Sequence, residues 1–351
     1  MSLTTVNVFA LGGTIAMAAS PGGRGAVTAA RTARKVPSAA GRAPPTGGVE
    51  PRLTARGLCR AVPGLDRVAR IKTFDLRRLP GAHLGDEHLI GLARAIIKGR
   101  APAVVTQGTD TIEETAFALD LMVGARLPVV VTGAMRHPAL AGADGPGNLL
   151  AAITVAASPA AEGLGTLVVM GDRVHAAALV RKTHTSAPDA FTSPNAGPIG
   201  FVAEGEARIL LYPTAATVVA IPVRPKDARP VAVIAAHQGD DGALLRAAYD
   251  EDLAGVVVAA MGGGHLTPKA ADAAEALARR VPVVLASRAG AGPVLARTYG
   301  FKGSEMDLVS RGLIRAGWLD PAKARILLAL ARRAGFDRRR IRTAFATYGG
   351  G

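Results

Sequence analysis

The chain reads as an α/β protein, with a larger N-terminal, mostly parallel-sheet domain with flanking helices and a smaller C-terminal α/β domain. Three observations predict this. Short runs of Val, Ile, Leu and Ala that stop at Gly or Thr alternate with helical stretches, the pattern of buried parallel strands joined by crossovers. Aromatics make up only 4% of a chain that is 49% hydrophobic, so the core is built from aliphatic side chains. At 351 residues the chain exceeds the size at which a single core stops growing, which makes two domains the default.

Taken in order, Thr5–Leu11 (TVNVFAL) is an apolar run halted by Gly12-Gly13, a buried strand ending in a tight turn. From Ala19 to Pro51 the composition shifts to Ser, Pro, Gly, Ala and Arg without apolar periodicity, which predicts a long mobile lid loop. Thr54–Val62 then reads as a helix, Val68–Phe74 as a strand and Glu87–Ile97 as a helix. Strand and helix alternate through Ala103–Thr106, Ile112–Val123, Pro128–Thr132, Asn148–Ala157 and Thr166–Met170, predicting parallel strands with right-handed crossovers. Residues 1–205 make up this first domain, and the strand-like pieces and Pro-rich turns of 206–230 read as the connection. Residues 231–351 form the second domain, with strands at Val231–Ala235, Gly255–Ala260 and Pro282–Ala286. Its helices fall near Gly242–Tyr249, Pro268–Arg279 and Pro321–Arg333.

Several function classes are disfavoured. No apolar run approaches the length of a membrane span, and the N-terminus enters a strand without a basic segment ahead of an apolar one, so the expectation is a cytoplasmic protein with no membrane partner. Cys59 is the only cysteine and lies on an apolar helix face, as a buried structural thiol does. The formal charge of +15 would suit a nucleic acid, but much of it lies in Arg24–Arg56 and in the run Arg332, Arg333, Arg338, Arg339, Arg340 and Arg342, without interleaved aromatics. Solvated charge is the reading, with no nucleic-acid partner. No cluster with metal-ligand spacing appears, so neither a metal nor a cofactor is expected.

Three stretches carry groups that can do chemistry. In Leu11-Gly12-Gly13-Thr14-Ile15 two glycines turn the chain off a strand and present a hydroxyl, which serves either as a nucleophile or as a turn cap. A third glycine at dinucleotide-loop spacing is missing. In Thr106-Gln107-Gly108-Thr109-Asp110-Thr111 and the following Glu113-Glu114, Thr111 with Glu114 has the form of a capping box. Thr109 and Asp110 then fall in a strand-to-helix turn, where ligands bind in open parallel sheets. The alternative is an ordinary helix start with spare hydroxyls. In Arg181-Lys182-Thr183-His184-Thr185, a partly desolvated lysine beside a carboxylate can take a proton from a threonine hydroxyl, although a lone lysine is ordinarily a surface residue. His184 reads as structural.

Together these blocks resemble the bacterial-type L-asparaginase family, in order along most of the chain. The turn at Gly12–Ile15, the block at Thr106–Ala116 (TQGTDTIEETA), VVTGAMR followed by ADGPGN within Val130–Asn148, the Arg181-Lys182-Thr183 stretch and the turn at Ser287–Pro293 (SRAGAGP) carry the resemblance. It implies hydrolysis of a side-chain amide, L-asparagine to aspartate and ammonia, through a threonyl acyl-enzyme. It assigns the nucleophile to Thr14 and a proton-handling set to Thr109, Asp110 and Lys182, with substrate binding at Gly81, Ala82, Gly108, Thr109 and Asp110. It also implies a homodimer or homotetramer in which a neighbour's C-terminal domain closes each site.

The sequence departs from that family in three places. Gly81 stands where the family usually has a serine that grips the substrate carboxylate, and the loop after Thr14 is rich in arginine and has no tyrosine. Gly262-Gly263-Gly264-His265 replaces a segment from which some members offer an asparagine to the neighbouring subunit. Glutamine hydrolysis, an amidase subunit acting on glutamyl-tRNA, and an inert amino-acid-binding module are the alternatives.

Overall fold

The computed structural model describes residues 3–13, 15, 17–19, 49–51, 53–213 and 226–350. The stretch read as a lid therefore lies outside the described residues except at its two ends. There β2 (Met17–Ala19) pairs antiparallel with β3 (Val49–Pro51).

The first strand, β1 (Thr5–Ala10), is buried from Val6 onward and lies between β4 (Arg70–Asp75) and β5 (Ala103–Thr106), both parallel to it. Parallel pairing continues through β6 (Val129–Thr132) and β7 (Thr166–Met170). Every residue of β5, β6 and β7 is buried, as expected of strands covered on both faces. The sheet then reverses: β8 (Arg173–Ala176), β11 (Gly200–Ala203) and β12 (Glu206–Ile209) are antiparallel, giving an eight-stranded sheet in the order β12-β11-β8-β7-β6-β5-β1-β4. Glu206–Ile209, at the start of the stretch read as connection, is thus the outer strand of the large sheet. A separate short pair, β9 (Arg181–Lys182) with β10 (Phe191–Thr192), stands beside it.

One face of the sheet is covered by α1 (Ala55–Arg60), α2 (Leu65–Val68) and α5 (Gly145–Ala157). The Thr54 hydroxyl accepts the Gly57 N–H at 3.0 Å and starts α1. The expected strand from Val68 begins later because Leu65–Val68 coils into a helical turn. Cys59 is half-buried, and burial pushes its thiol up to about 11, which keeps it protonated and unreactive at neutral pH. The other face carries α3 (Asp86–Gly99) and α4 (Ile112–Val123).

The second domain has a four-stranded parallel sheet in the order β13-β14-β15-β16, formed by Val231–Ala235, Gly255–Ala260, Val283–Ser287 and Ile314–Arg315. Its helices are α6 (Ala243–Asp250), α7 (Pro268–Arg280), α8 (Glu305–Ser310), α9 (Pro321–Arg333) and α10 (Arg338–Gly349). Helix α9 packs on α4, and a single apolar cluster runs from Phe117 and Leu121 into Leu327 and Phe345, so the two domains share a core. The terminal arginines are not all solvated, contrary to the expectation from charge alone. Arg333 is buried and meets Glu87 at 2.5 Å, Arg332 reaches Asp227 at 2.6 Å, and Arg325 reaches Asp86 at 2.7 Å. No helix among the described residues is long and apolar enough to cross a membrane.

Asp120 of α4 is buried, accepts the Thr166 N–H at 2.8 Å, and has its carboxyl raised by burial from 3.8 to about 6, the Thr166 bond opposing the rise. A raised carboxyl contributes stability that is fully present below about pH 4 and lost as pH climbs through about 6. Asp120→Asn keeps an oxygen for Thr166 and removes the charge. Its thermal unfolding at about pH 8 should occur at higher temperature, by the equivalent of up to about 3 kcal/mol, with a flatter pH dependence through the acid range. A variant less stable than the parent at that pH would refute this reading of Asp120.

Candidate active site

Chain direction in the sheet decides where a site forms. After β1 the chain crosses to β4 on one side, and after β5 it crosses to β6 on the other, so a crevice opens beyond the carboxyl ends of β1 and β5. The two turns singled out in the sequence leave those two strand ends. Leu11 N–H donates to Thr106 O at 2.9 Å, and Leu79 N–H donates to Leu11 O at 2.9 Å, binding the three strand ends together.

Beyond that point three turns meet backbone to backbone. Gly13 has φ of +87°, and a Cβ there would overlap the main chain at Gly108. A Cβ on Gly108 would lie 3.0 Å from Gly81 N and 3.3 Å from Gly13 Cα. Gly81 is buried, while Ala82 beside it is exposed. A side chain at Gly81 would begin 3.1 Å from Gly108 O and 3.3 Å from Thr111 Oγ1, so the absence of the family's serine coincides with a tight approach. Thr14 lies outside the described residues. Its neighbours Gly13 and Ile15 are both buried.

Thr109 and Asp110 open a short 3-10 turn, Thr109–Thr111, that leads into α4. Thr109 is buried and Asp110 exposed. The capping box expected at Thr111 and Glu114 does not form. Thr111 makes no side-chain bond to the helix end; instead its hydroxyl donates to Gly81 O at 3.1 Å and accepts from Gln107 Nε2 at 3.3 Å. The hydroxyl is thus used to tie the Gly81 turn to the Gly108 turn.

Lys182, from β9, reaches into the same place from 73 residues away: its Nζ donates to Thr109 Oγ1 at 2.8 Å and to Asp110 Oδ1 at 3.3 Å. Its side chain is 15% exposed against 64% for Asp110, so Nζ sits at the boundary of the interior while the carboxylate faces solvent. An exposed ion pair contributes little to stability, and its value here is geometric. Sequence reasoning missed Glu113, whose Oε2 accepts the Lys182 main-chain N–H at 2.6 Å. Burial raises its carboxyl, while the charges of Lys323 and Arg181 and the Lys182 N–H oppose that rise. An open cavity of about 360 Å³ lies alongside, lined by Asp110, Lys182, Thr183, His184 and Thr185. His184 is structural, as read: its Nδ1 accepts the N–H groups of Ser186 and Ala187 at 3.1 and 2.9 Å.

If the close approach of the turns sets the crevice, Gly13→Ala strains a positive φ and drives its methyl into backbone. The unfolding free energy in urea should fall by about 1–3 kcal/mol. An unchanged midpoint would contradict that packing.

The chain is similar to known proteins along nearly its whole length. A family model described as Asparaginase, N-terminal, matches residues 5–214, and one described as Glutaminase/Asparaginase C-terminal domain matches residues 230–345. A probable L-asparaginase of Deinococcus radiodurans is 38% identical over 348 residues, 98% of each chain. A probable periplasmic L-asparaginase of Haemophilus influenzae is 36% identical over 80% of each chain, and L-asparaginase 2 of Bacillus subtilis is 34% identical over 83% of this chain and 78% of its own. With both domain models matched in order and relatives of that identity spanning nearly the whole chain, the protein belongs to the bacterial-type asparaginase family.

Proposed function

We propose that the protein hydrolyses the side-chain amide of L-asparagine to aspartate and ammonia, with Thr14 as nucleophile and Thr109, Asp110 and Lys182 as its proton-handling set. The observation that carries the reading is the 2.8 Å contact between Lys182 Nζ and Thr109 Oγ1 at the switch point of the sheet, next to Gly108, on which Gly13 packs. Family membership supplies the substrate class.

In this reading the Thr14 hydroxyl oxygen attacks the amide carbon as its proton passes into the Thr109–Lys182 pair. The tetrahedral adduct collapses when that proton is returned to the amide nitrogen, which leaves as ammonia, and an aspartyl ester remains on Thr14. Water attacks the ester with its proton taken by the same pair, and aspartate departs as Thr14 recovers its hydrogen. A hydroxyl is a weak nucleophile at its own pKa, so a partner able to accept its proton is required. Lys182 fills that role as the unprotonated amine, its side chain mostly buried and its main chain held by Glu113, and it becomes the ammonium on taking the proton. Asp110, being exposed at the cavity mouth, both orients the ammonium and offers a carboxylate to the substrate α-ammonium.

Homodimer or homotetramer assembly belongs to the same reading. Tyr299, Phe301, Met306 and Val309 expose apolar side chains on the second domain, as a surface closing on a second copy would.

Purified protein should release ammonia from L-asparagine, and kcat should fall at least about 100-fold in Thr14→Ala, Thr109→Val and Lys182→Met. Release from L-glutamine in parallel measures preference, because one methylene is worth only about 1–3 kcal/mol. Absence of turnover with both amides at every concentration tried would refute the proposal.

A further inference from the structure

The strand that delivers Lys182 is gripped from the second domain. Lys323, in the first turn of α9, is 1% exposed, and burying an ammonium costs several kcal/mol unless it is closely paired. Its Nζ donates to Val180 O at 2.5 Å and to Asp320 Oδ2 at 2.9 Å. Asp320 is itself nearly buried, caps α9 by accepting the Lys323 main-chain N–H at 3.0 Å, and faces Arg181 Nε at 3.8 Å. Arg181 in turn donates through Nη1 to Gly290 O, in the Ser287–Pro293 turn.

Three consecutive residues are thereby fixed, each by a different group: Val180 by Lys323, Arg181 by Asp320 and Gly290, and Lys182 by Glu113. A leucine or methionine at 323 would fill this apolar interface without burying a charge. A charged, hydrogen-bonded lysine instead fixes the height of one particular carbonyl.

We propose that Lys323 and Asp320 are positioning residues for the reaction: from the second domain of the same chain they set the segment Val180–Lys182 so that Lys182 Nζ meets Thr109 Oγ1. This rests on the assignment of Lys182 to proton handling. Lys323 acts on Glu113 as well, since its charge opposes the effect of burial and favours the carboxylate that holds the Lys182 N–H. The groups acting on Glu113 are Lys323, Arg181 and the Lys182 N–H on one side of the balance, with burial and Asp320 on the other.

The test uses the full chain. Lys323→Met alone would leave Asp320 as a buried acid with only the longer Arg181 contact to balance its charge, so the main arm is Asp320→Asn combined with Lys323→Met, which keeps an N-cap and leaves neither charge. The variant should melt within about 5 °C of the parent, keep KM for asparagine within about twofold, and lose kcat about 10- to 100-fold, as displacement of a catalytic group by about 1 Å does. Arg181→Met, at a side chain 28% exposed, is the second arm should the first not fold, with the same loss in kcat and unchanged KM expected. Parental kcat in a folded variant of either kind, with Lys182→Met inactive, overturns the positioning role alone. Parental kcat in Lys182→Met overturns both this role and the assignment on which it rests.

Discussion

The structure depends on the close approach of three backbone turns at Gly13, Gly81 and Gly108. A side chain at Gly13 would overlap the Gly108 main chain, and at Gly108 and Gly81 the neighbouring backbone begins at 3.0 and 3.1 Å. With β carbons absent, the three turns meet backbone to backbone at the strand ends, where the sheet topology leaves a crevice. The Thr111 hydroxyl is drawn into holding this junction, which is why it does not cap α4. Thr109 follows Gly108 directly, so the position of its main chain is set by this backbone packing.

Charge provides the second level of organisation. The chain carries +15, yet part of its arginine content is spent between domains, where α9 meets Asp86, Glu87 and Asp227. Helix α4 is central to both levels: its start presents Thr109 and Asp110, its first turn supplies Glu113 to Lys182, and its apolar side packs on α9. Two sets of contacts hold the Lys182 segment, Glu113 on α4 and Lys323 with Asp320 on α9.

The continuous apolar runs of β1, β5, β6, β7, β14 and β15 were legible because strands buried on both faces need no alternation. The antiparallel return through β8, β11 and β12 was not: Arg173–Ala176 (RVHA) and Glu206–Ile209 (EARI) are short and partly polar, and their pairing is decided by the sheet edge they find. Helix α10 was hidden beneath its arginines, although Ile341, Ala344 and Phe345 keep helical spacing on the buried side. At the site, Thr109 and Asp110 were visible from the strand-to-helix turn. Lys182 entered through resemblance, since nothing local marks a lysine whose partner lies 73 residues away. Glu113 and Lys323 had no local signal, and a double acid at a helix start is most simply read as a cap.

The central claim is a division of labour between two hydroxyls at adjoining turns. Rapid acid quenching during asparagine turnover, followed by proteolysis and mass spectrometry, tests it directly. The account predicts an aspartyl ester on the peptide containing Thr14, accumulating in the parent and absent in Thr14→Ala. An ester on Thr109 instead would contradict it.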